Sequence, residues 1–178
     1  MDRGVAVIGH RTWDEGARSQ ELRRTKELLE QTGGRIDAFC GAVGTGGMVR
    51  GVAQALRQGR SRARIVALEP SSSPALTEGR GGAHSVEGTA TRSVPPHMAD
   101  KPYDEARAID EAEARLMAWR LAREERLLVG TSSGLNIAAA IHLAREVGTG
   151  KVVATSRSMA NDQVGQGHGT RRQIPRLI

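Results

Sequence analysis

Gly44-Thr45-Gly46-Gly47 is the stretch of this chain best suited to hold an anion. Glycines at that spacing let the backbone turn tightly and bring N–H groups toward a ligand. A helix that begins there adds the positive end of its dipole. A second turn of related character, Thr131-Ser132-Ser133-Gly134, offers hydroxyls at the start of another helical pattern. The first loop has no Gly-Lys-Ser/Thr ending of a nucleoside-triphosphate cradle, and Val49 stands where the dinucleotide pattern has its third glycine, so phosphate is favoured over a nucleotide. The plain alternatives are a connecting turn for the glycines and an ordinary N-cap, worth about 1 kcal/mol, for the serines. Two such turns together argue for an anion or cofactor site better than either alone.

These turns need elements to position them. An apolar run, Ile36 to Val43, enters the glycine loop, and a helical pattern, Met48 to Gln58, leaves it. A strand at Ile65 to Leu68 completes a strand–loop–helix–strand unit of the parallel-sheet kind. Upstream, Glu15 to Gln31 reads as a helix with Leu22, Leu28 and Leu29 on one face and Gly33-Gly34 as its stop. Ser71 to Tyr103 is rich in Gly and Pro and reads as a long irregular segment, a type that often carries function. Asp110, with Glu113 three positions on, predicts an N-cap and a helix to about Glu125. Leu116, Trp119 and Ala122, with Met117, are expected to form its buried stripe. The serine pair is expected to cap a helix over Leu135 to Val147, and Gly148-Thr149-Gly150 turns the chain into a last strand, Val152 to Ala154.

A length of 178 residues, 38% hydrophobic and 26% charged, predicts one domain with a real core. The net charge of +6 is mostly arginine, with Arg57, Arg60, Arg62 and Arg64 crowding one helix end and Arg171, Arg172 and Arg176 in the tail. Cations are favourable near a helix C-terminus, and 2% aromatics leave little to stack bases on, so solvated surface is expected rather than a nucleic-acid partner. No apolar run approaches the roughly 20 residues of a membrane span, and Val5 to Ile8 is too short for a signal-peptide core, so a cytoplasmic location is expected. Cys40, the only cysteine, sits inside the apolar run and is expected to be a small buried side chain without catalytic role. No residue is assigned to a metal.

The run Gly33 to Phe39, then Gly44 to Gly47, Val66-Ala67-Leu68-Glu69-Pro70, Ala122 to Glu125 and Leu128 to Gly134 resembles the cysteine synthase and cystathionine beta-synthase family of pyridoxal-phosphate enzymes. The match in order and spacing covers residues 31–154, about the second half of that family's catalytic chain. It implies an α/β fold, a partial open parallel sheet with flanking helices like the C-terminal half of the tryptophan synthase beta-like enzymes. It also implies pyridoxal 5'-phosphate as cofactor, and a homodimer or a complete homologue as a partner. Carried over by position, Gly44, Thr45, Gly46 and Gly47 would hold the cofactor phosphate. Met48 stands where the family usually has a threonine hydroxyl, a loss of roughly 0.5–1.5 kcal/mol. Ser132 matches the serine that hydrogen-bonds the pyridine nitrogen. A neutral hydroxyl there suits beta-elimination and replacement over transamination. His84 to Gly88 resembles a segment near the cofactor, but Thr89-Ala90-Thr91 departs from its glycine-rich continuation, and no role is carried there.

The family's Ser-x-Lys-Asp/Asn-Arg motif, which carries the Schiff-base lysine, and its Thr-Ser-Gly-Asn-Thr substrate loop have no counterpart here. Lys26, Lys101 and Lys151 lack the surrounding motif. Residues 1–20 and the stretch after Ala154 do not match, and a disordered tail over 156–178 is expected. The expectation is a single, incomplete domain over 1–178. It is related to enzymes that replace the acetyl group of O-acetylserine by sulfide, and is expected to be inactive alone and either poorly soluble or dependent on a partner. A non-catalytic partner of a complete homologue, or an unrelated phosphate-binding domain, are the alternatives.

Overall fold

The computed structural model describes residues 4–9, 29–30, 32, 34–89 and 93–157, the first of these segments by its backbone. They form a five-stranded, wholly parallel sheet. The strands are β1 (Gly4–Gly9), β2 (Ala38–Ala42), β3 (Arg64–Pro70), β4 (Glu105–Ile109) and β5 (Val152–Arg157), in spatial order β1-β5-β2-β3-β4. The helices are α1 (Gly47–Gln58), α2 (Glu111–Glu124) and α3 (Thr131–Val147), with a short 3-10 turn at Pro96–Met98.

Alternation along the strands sends side chains to two cores. Ala38 and Cys40 of β2, with Val66 and Leu68 of β3, pack against Leu135, Ala139, Ala140 and Leu143 of α3 and Ala114 of α2. Phe39, Ile65 and Ala67 face the other way, onto Val49, Val52, Ala53 and Leu56 of α1. Helices thus cover both faces, which is why β2 and β3 read as apolar runs rather than as alternating strands. Each fully buried Phe39, Leu56 or Leu68 side chain contributes about 1.5–3 kcal/mol to that packing.

The predicted strand and helix around the glycine loop are found with shifts of one or two residues at their ends. Several expectations are corrected. The stripe of α2 is Ala114, Met117 and Leu121, whereas Leu116 and Trp119 are 57% and 54% exposed. Trp119 is not core: the Arg123 guanidinium lies 4.5 Å over its ring. The apolar Val5 to Ile8 belongs to β1, paired to β5 from Gly4↔Val152 to Gly9↔Arg157. Ser156 and Arg157, expected in a disordered tail, continue β5, and Thr155 donates through its hydroxyl to the Cys40 carbonyl at 2.7 Å. β4 follows directly on the long irregular segment and was not foreseen.

The predicted helix over 15–31 lies outside the described residues except for Leu29 and Glu30, which are helical. The turn after it is present, with Gly34 at φ 76° and its N–H donating to the Leu29 carbonyl at 2.6 Å. The tail beyond Arg157 also lies outside them. Among the described residues no helix is long and apolar enough to cross a membrane, and no cluster of acidic, His or Cys side chains could hold a metal. The basic helix end is ion-paired surface: Arg57 reaches Asp104 at 3.4 Å, and Arg64 pairs with Glu105 and Glu146.

Candidate functional site

The glycine loop starts where β2 ends. The Val43 amide still donates to the Leu68 carbonyl at 2.9 Å, holding the chain on β3, after which residues 44–46 bend away and α1 begins. Gly46 is the N-cap residue of α1 at φ 85°, a backbone conformation that other residues adopt only at a cost. No side chain caps this helix and its first turn has no acidic residue. The early N–H groups of a helix have no intrahelical acceptor, so they are available to an anion. Thr45 and Gly47 are exposed at this point.

Two neighbours crowd the loop from its flanks. A Cβ on Gly44 would lie 2.6 Å from the Gly88 carbonyl oxygen, and one on Gly46 would lie 2.6 Å from the Met98 sulfur. The segment ending at Gly88 therefore passes over the loop on one side and Met98 walls it on the other. Arg50, in the first turn of α1, donates to the His97 carbonyl at 3.1 Å and pairs with Asp100, which fixes the Met98 turn against the helix. Met48 is half-buried with its methyl turned toward the end of β2, since a Cβ on Gly41 would lie 2.9 Å from it.

The second turn is built differently from the expectation. The N-cap residue of α3 is Gly130, no side chain caps the helix, and Ser132 is already in its first turn, which again carries no acidic residue. The serine pair therefore does not act as the cap. The difference from α2 is instructive: there Asp110 accepts from the Ala112 and Glu113 amides at 2.7 and 3.2 Å, closing that helix end to any anion. Among α1, α2 and α3, the two with ligand-like turns are the two without a side-chain cap.

Asn136, one turn beyond Ser132, joins the two turns. It is buried; its Oδ1 accepts from the Ala42 amide at 2.7 Å, and its Nδ2 donates to the Ser156 carbonyl and hydroxyl at 2.9 and 3.0 Å. Ala42 and Ser156 lie toward the C-terminal ends of β2 and β5, and Gly44 follows two residues after Ala42. The structure thus brings Gly44, Thr45, Gly46, Gly47 and Met48 to the same sheet edge as Ser132, on helices packed against opposite faces. The edge at the strand C-termini, between helices on the two faces, is where open α/β sheets bind ligands.

A neighbouring cleft of about 540 Å³ is lined by Ser71, Ser72, His84, Ser85, Glu111 and Arg115, beyond the ends of β3 and β4. Its centre is Glu111, whose carboxylate accepts from the Ser72 hydroxyl and from the Ser85 amide and hydroxyl. Those bonds, with Arg115 nearby, hold its carboxyl down at about 2. Asn136 and Glu111 escaped sequence reasoning. Asn136 left one signal, a lone amide inside the apolar run Leu135 to Ile141.

Neither described lysine is a buried amine at this edge. Lys151 precedes β5 at the opposite edge of the sheet and pairs with Asp37 at 3.0 Å, while Lys101 is exposed on the turn after the 3-10 helix. Cys40 is fully buried, and burial pushes its thiol up to about 12, so no thiolate forms near neutral pH.

The family described as pyridoxal-phosphate dependent enzymes matches residues 23–156, and the chain belongs to it. A cysteine synthase of Staphylococcus aureus is 41% identical over 136 residues, covering 76% of this chain and 44% of that protein. The chain thus spans less than half the length of that curated relative. Among solved structures, an O-ureido-L-serine synthase is 31% identical at a TM-score of 0.75, covering 87% of this chain and 52% of that one. An O-acetylserine sulfhydrylase isoform from Entamoeba histolytica is 25% identical at a TM-score of 0.76, covering 88% and 49%. The expected α/β fold, the resemblance to cysteine synthases and the cofactor class agree with these matches.

Proposed function

We propose that this chain carries the phosphate- and ring-nitrogen-binding half of a cysteine synthase-like site. Gly44, Thr45, Gly46 and Gly47 hold the phosphate of pyridoxal phosphate, and the Ser132 hydroxyl faces its pyridine nitrogen. The observation that carries the reading is the Asn136–Ala42 hydrogen bond, which ties both turns to one sheet edge. The residues suit the group: two uncapped helix starts free of carboxylates lie there, one crossed by glycines in a left-handed conformation and at close approach. When bound, the cofactor supplies an electron sink for chemistry at the alpha and beta carbons of an amino acid. The chain's own residues bind the phosphate, orient the ring, and leave the nitrogen facing a neutral hydroxyl.

The ancestral reaction in this reading is replacement of the acetyl group of O-acetylserine by sulfide. The reacting lysine is not supplied by these 178 residues, and the chain alone is inactive. A few charge-assisted bonds of about 1.5–3 kcal/mol each, set against the cost of ordering the ligand, limit this half-site to about millimolar affinity. The test is to titrate the purified chain with pyridoxal phosphate, reduce with borohydride and map the products by mass spectrometry. Weak saturable binding without one defined lysine adduct is expected. A single specific adduct accompanied by cysteine formation would overturn the inactive reading, and absence of any binding would remove the cofactor assignment.

The missing lysine motif favours a second reading, in which the chain is a non-catalytic partner of a complete homologue. Co-purification with such a homologue supports it; failure to bind one eliminates it.

A further inference from the structure

We infer that Asn136 is a positioning residue that sets the spacing between the Ser132 turn and the Gly44 to Gly47 loop. The inference deepens the function proposed above and rests on it only for its ligand readout. Three elements converge on this one buried amide. It grows from α3, its oxygen accepts from β2 two residues before the glycine loop, and its nitrogen donates twice to Ser156 of β5. Every polar atom of the side chain is used, and the arrangement works in one orientation only, because Oδ1 must meet an N–H and Nδ2 a carbonyl.

The location gives the bonds their consequence. β2 and β5 are neighbours paired from Ala38↔Val153 to Cys40↔Thr155, so the ladder between them stops before Ala42 and Ser156. Beyond Cys40 the two strands are linked through the Asn136 side chain, where the ladder no longer joins them. An apolar residue at 136 would leave the Ala42 amide and the Ser156 carbonyl unpaired in the interior. The strand ends would then part, and the first turn of α3 would shift relative to the loop. The same helix carries apolar contacts further along, at Leu143, that hold it to the sheet without touching this edge.

The experiment uses the full chain and compares Asn136→Ala, the milder Ser156→Ala, which removes one of the two Nδ2 bonds, and Leu143→Ala as a core control. Hydrogen exchange is followed at Ser133 and Gly134, which donate to the Gly130 carbonyl, and at Val43 and Arg50, which flank the glycine loop. Asn136→Ala should raise exchange about ten-fold at both places and Ser156→Ala about three-fold. Leu143→Ala should not single out these amides. In parallel, the dissociation constant for pyridoxal phosphate should rise about ten-fold in Asn136→Ala while that for inorganic phosphate, which needs only the loop, stays within about two-fold. Exchange within about two-fold of the parent in both edge variants, or the same pattern in Leu143→Ala, overturns the inference. If Asn136→Ala does not fold, Ser156→Ala decides. If the parent chain binds no pyridoxal phosphate, the proposed function fails and exchange alone judges Asn136.

Discussion

Glu111 and Ser85 are joined twice, the Ser85 amide donating to the Glu111 carboxylate at 2.9 Å and the Ser85 hydroxyl donating to the same oxygen. With the Ser72 hydroxyl on the other oxygen, one side chain at the start of α2 ties down both ends of the stretch from Ser72 to Ser85. That stretch leads to Gly88, whose carbonyl lies against Gly44. The carboxylate therefore anchors the segment that passes over the glycine loop.

A pH dependence follows. Hydrogen bonding by Ser72 and then Ser85 lowers the Glu111 carboxyl to about 2 in the folded chain, against about 4.3 unfolded. A depressed folded value means the stabilisation is present above the unfolded value and is lost as pH falls toward about 2. Thermal melts between pH 7 and pH 2 should show an acid-sensitive limb that Glu111→Gln flattens, with the variant melting lower at pH 7. Equal limbs in both proteins would remove this role.

Gly134→Ala should cost about 1–3 kcal/mol or more. A Cβ there would overlap the Ala114 carbonyl oxygen and lie 2.9 Å from the Ala118 nitrogen, so α2 and α3 must separate. A fall in the urea midpoint at unchanged slope is the signature to measure.

Arg126 has φ 56°, and its side chain makes that conformation costly. Arg126→Gly should gain about 1 kcal/mol, or roughly 2–4 °C in Tm for a chain of this size, without touching the site. An unchanged or lower Tm would show that another Arg126 contact outweighs the strain.

At the loop itself, Gly46→Ala should weaken pyridoxal phosphate binding about ten-fold or more, because φ 85° and the Met98 sulfur both oppose a Cβ. Parent-like affinity would show that the loop conformation does not matter for binding.

Met48→Thr restores a hydroxyl at the start of α1. It should tighten pyridoxal phosphate binding about 2–10-fold, the equivalent of 0.5–1.5 kcal/mol, in a spectroscopic titration. No gain would place Met48 outside the contact shell.

The glycine loop was legible in the sequence because its constraint is written in residue type: only glycine tolerates the φ at 46 and the close approach at 44. β2 and β3 were legible because both faces are covered and their residues form unbroken apolar runs. β4 was not, since Glu105-Ala106-Arg107 shows no apolar pattern. It is an edge strand whose charges pair with one another, with Arg64 and with Glu146. The face of α2 was misjudged because large apolar side chains were taken to be the buried ones. The inward positions include Ala114, small because Gly134 of α3 crosses there at backbone distance. Asn136 was illegible in its role because its partners, Ala42 and Ser156, are distant in sequence and contribute main-chain groups that no composition reveals.

The pairing of β1 with β5 joins strands that lie far apart in the sequence. During synthesis β1 leaves the ribosome long before β5, its described sheet neighbour, exists, so this pairing waits until β5 emerges. Pairing of β1 with β5 is thereby a late, long-range event, intrinsically slow and open to capture by other chains.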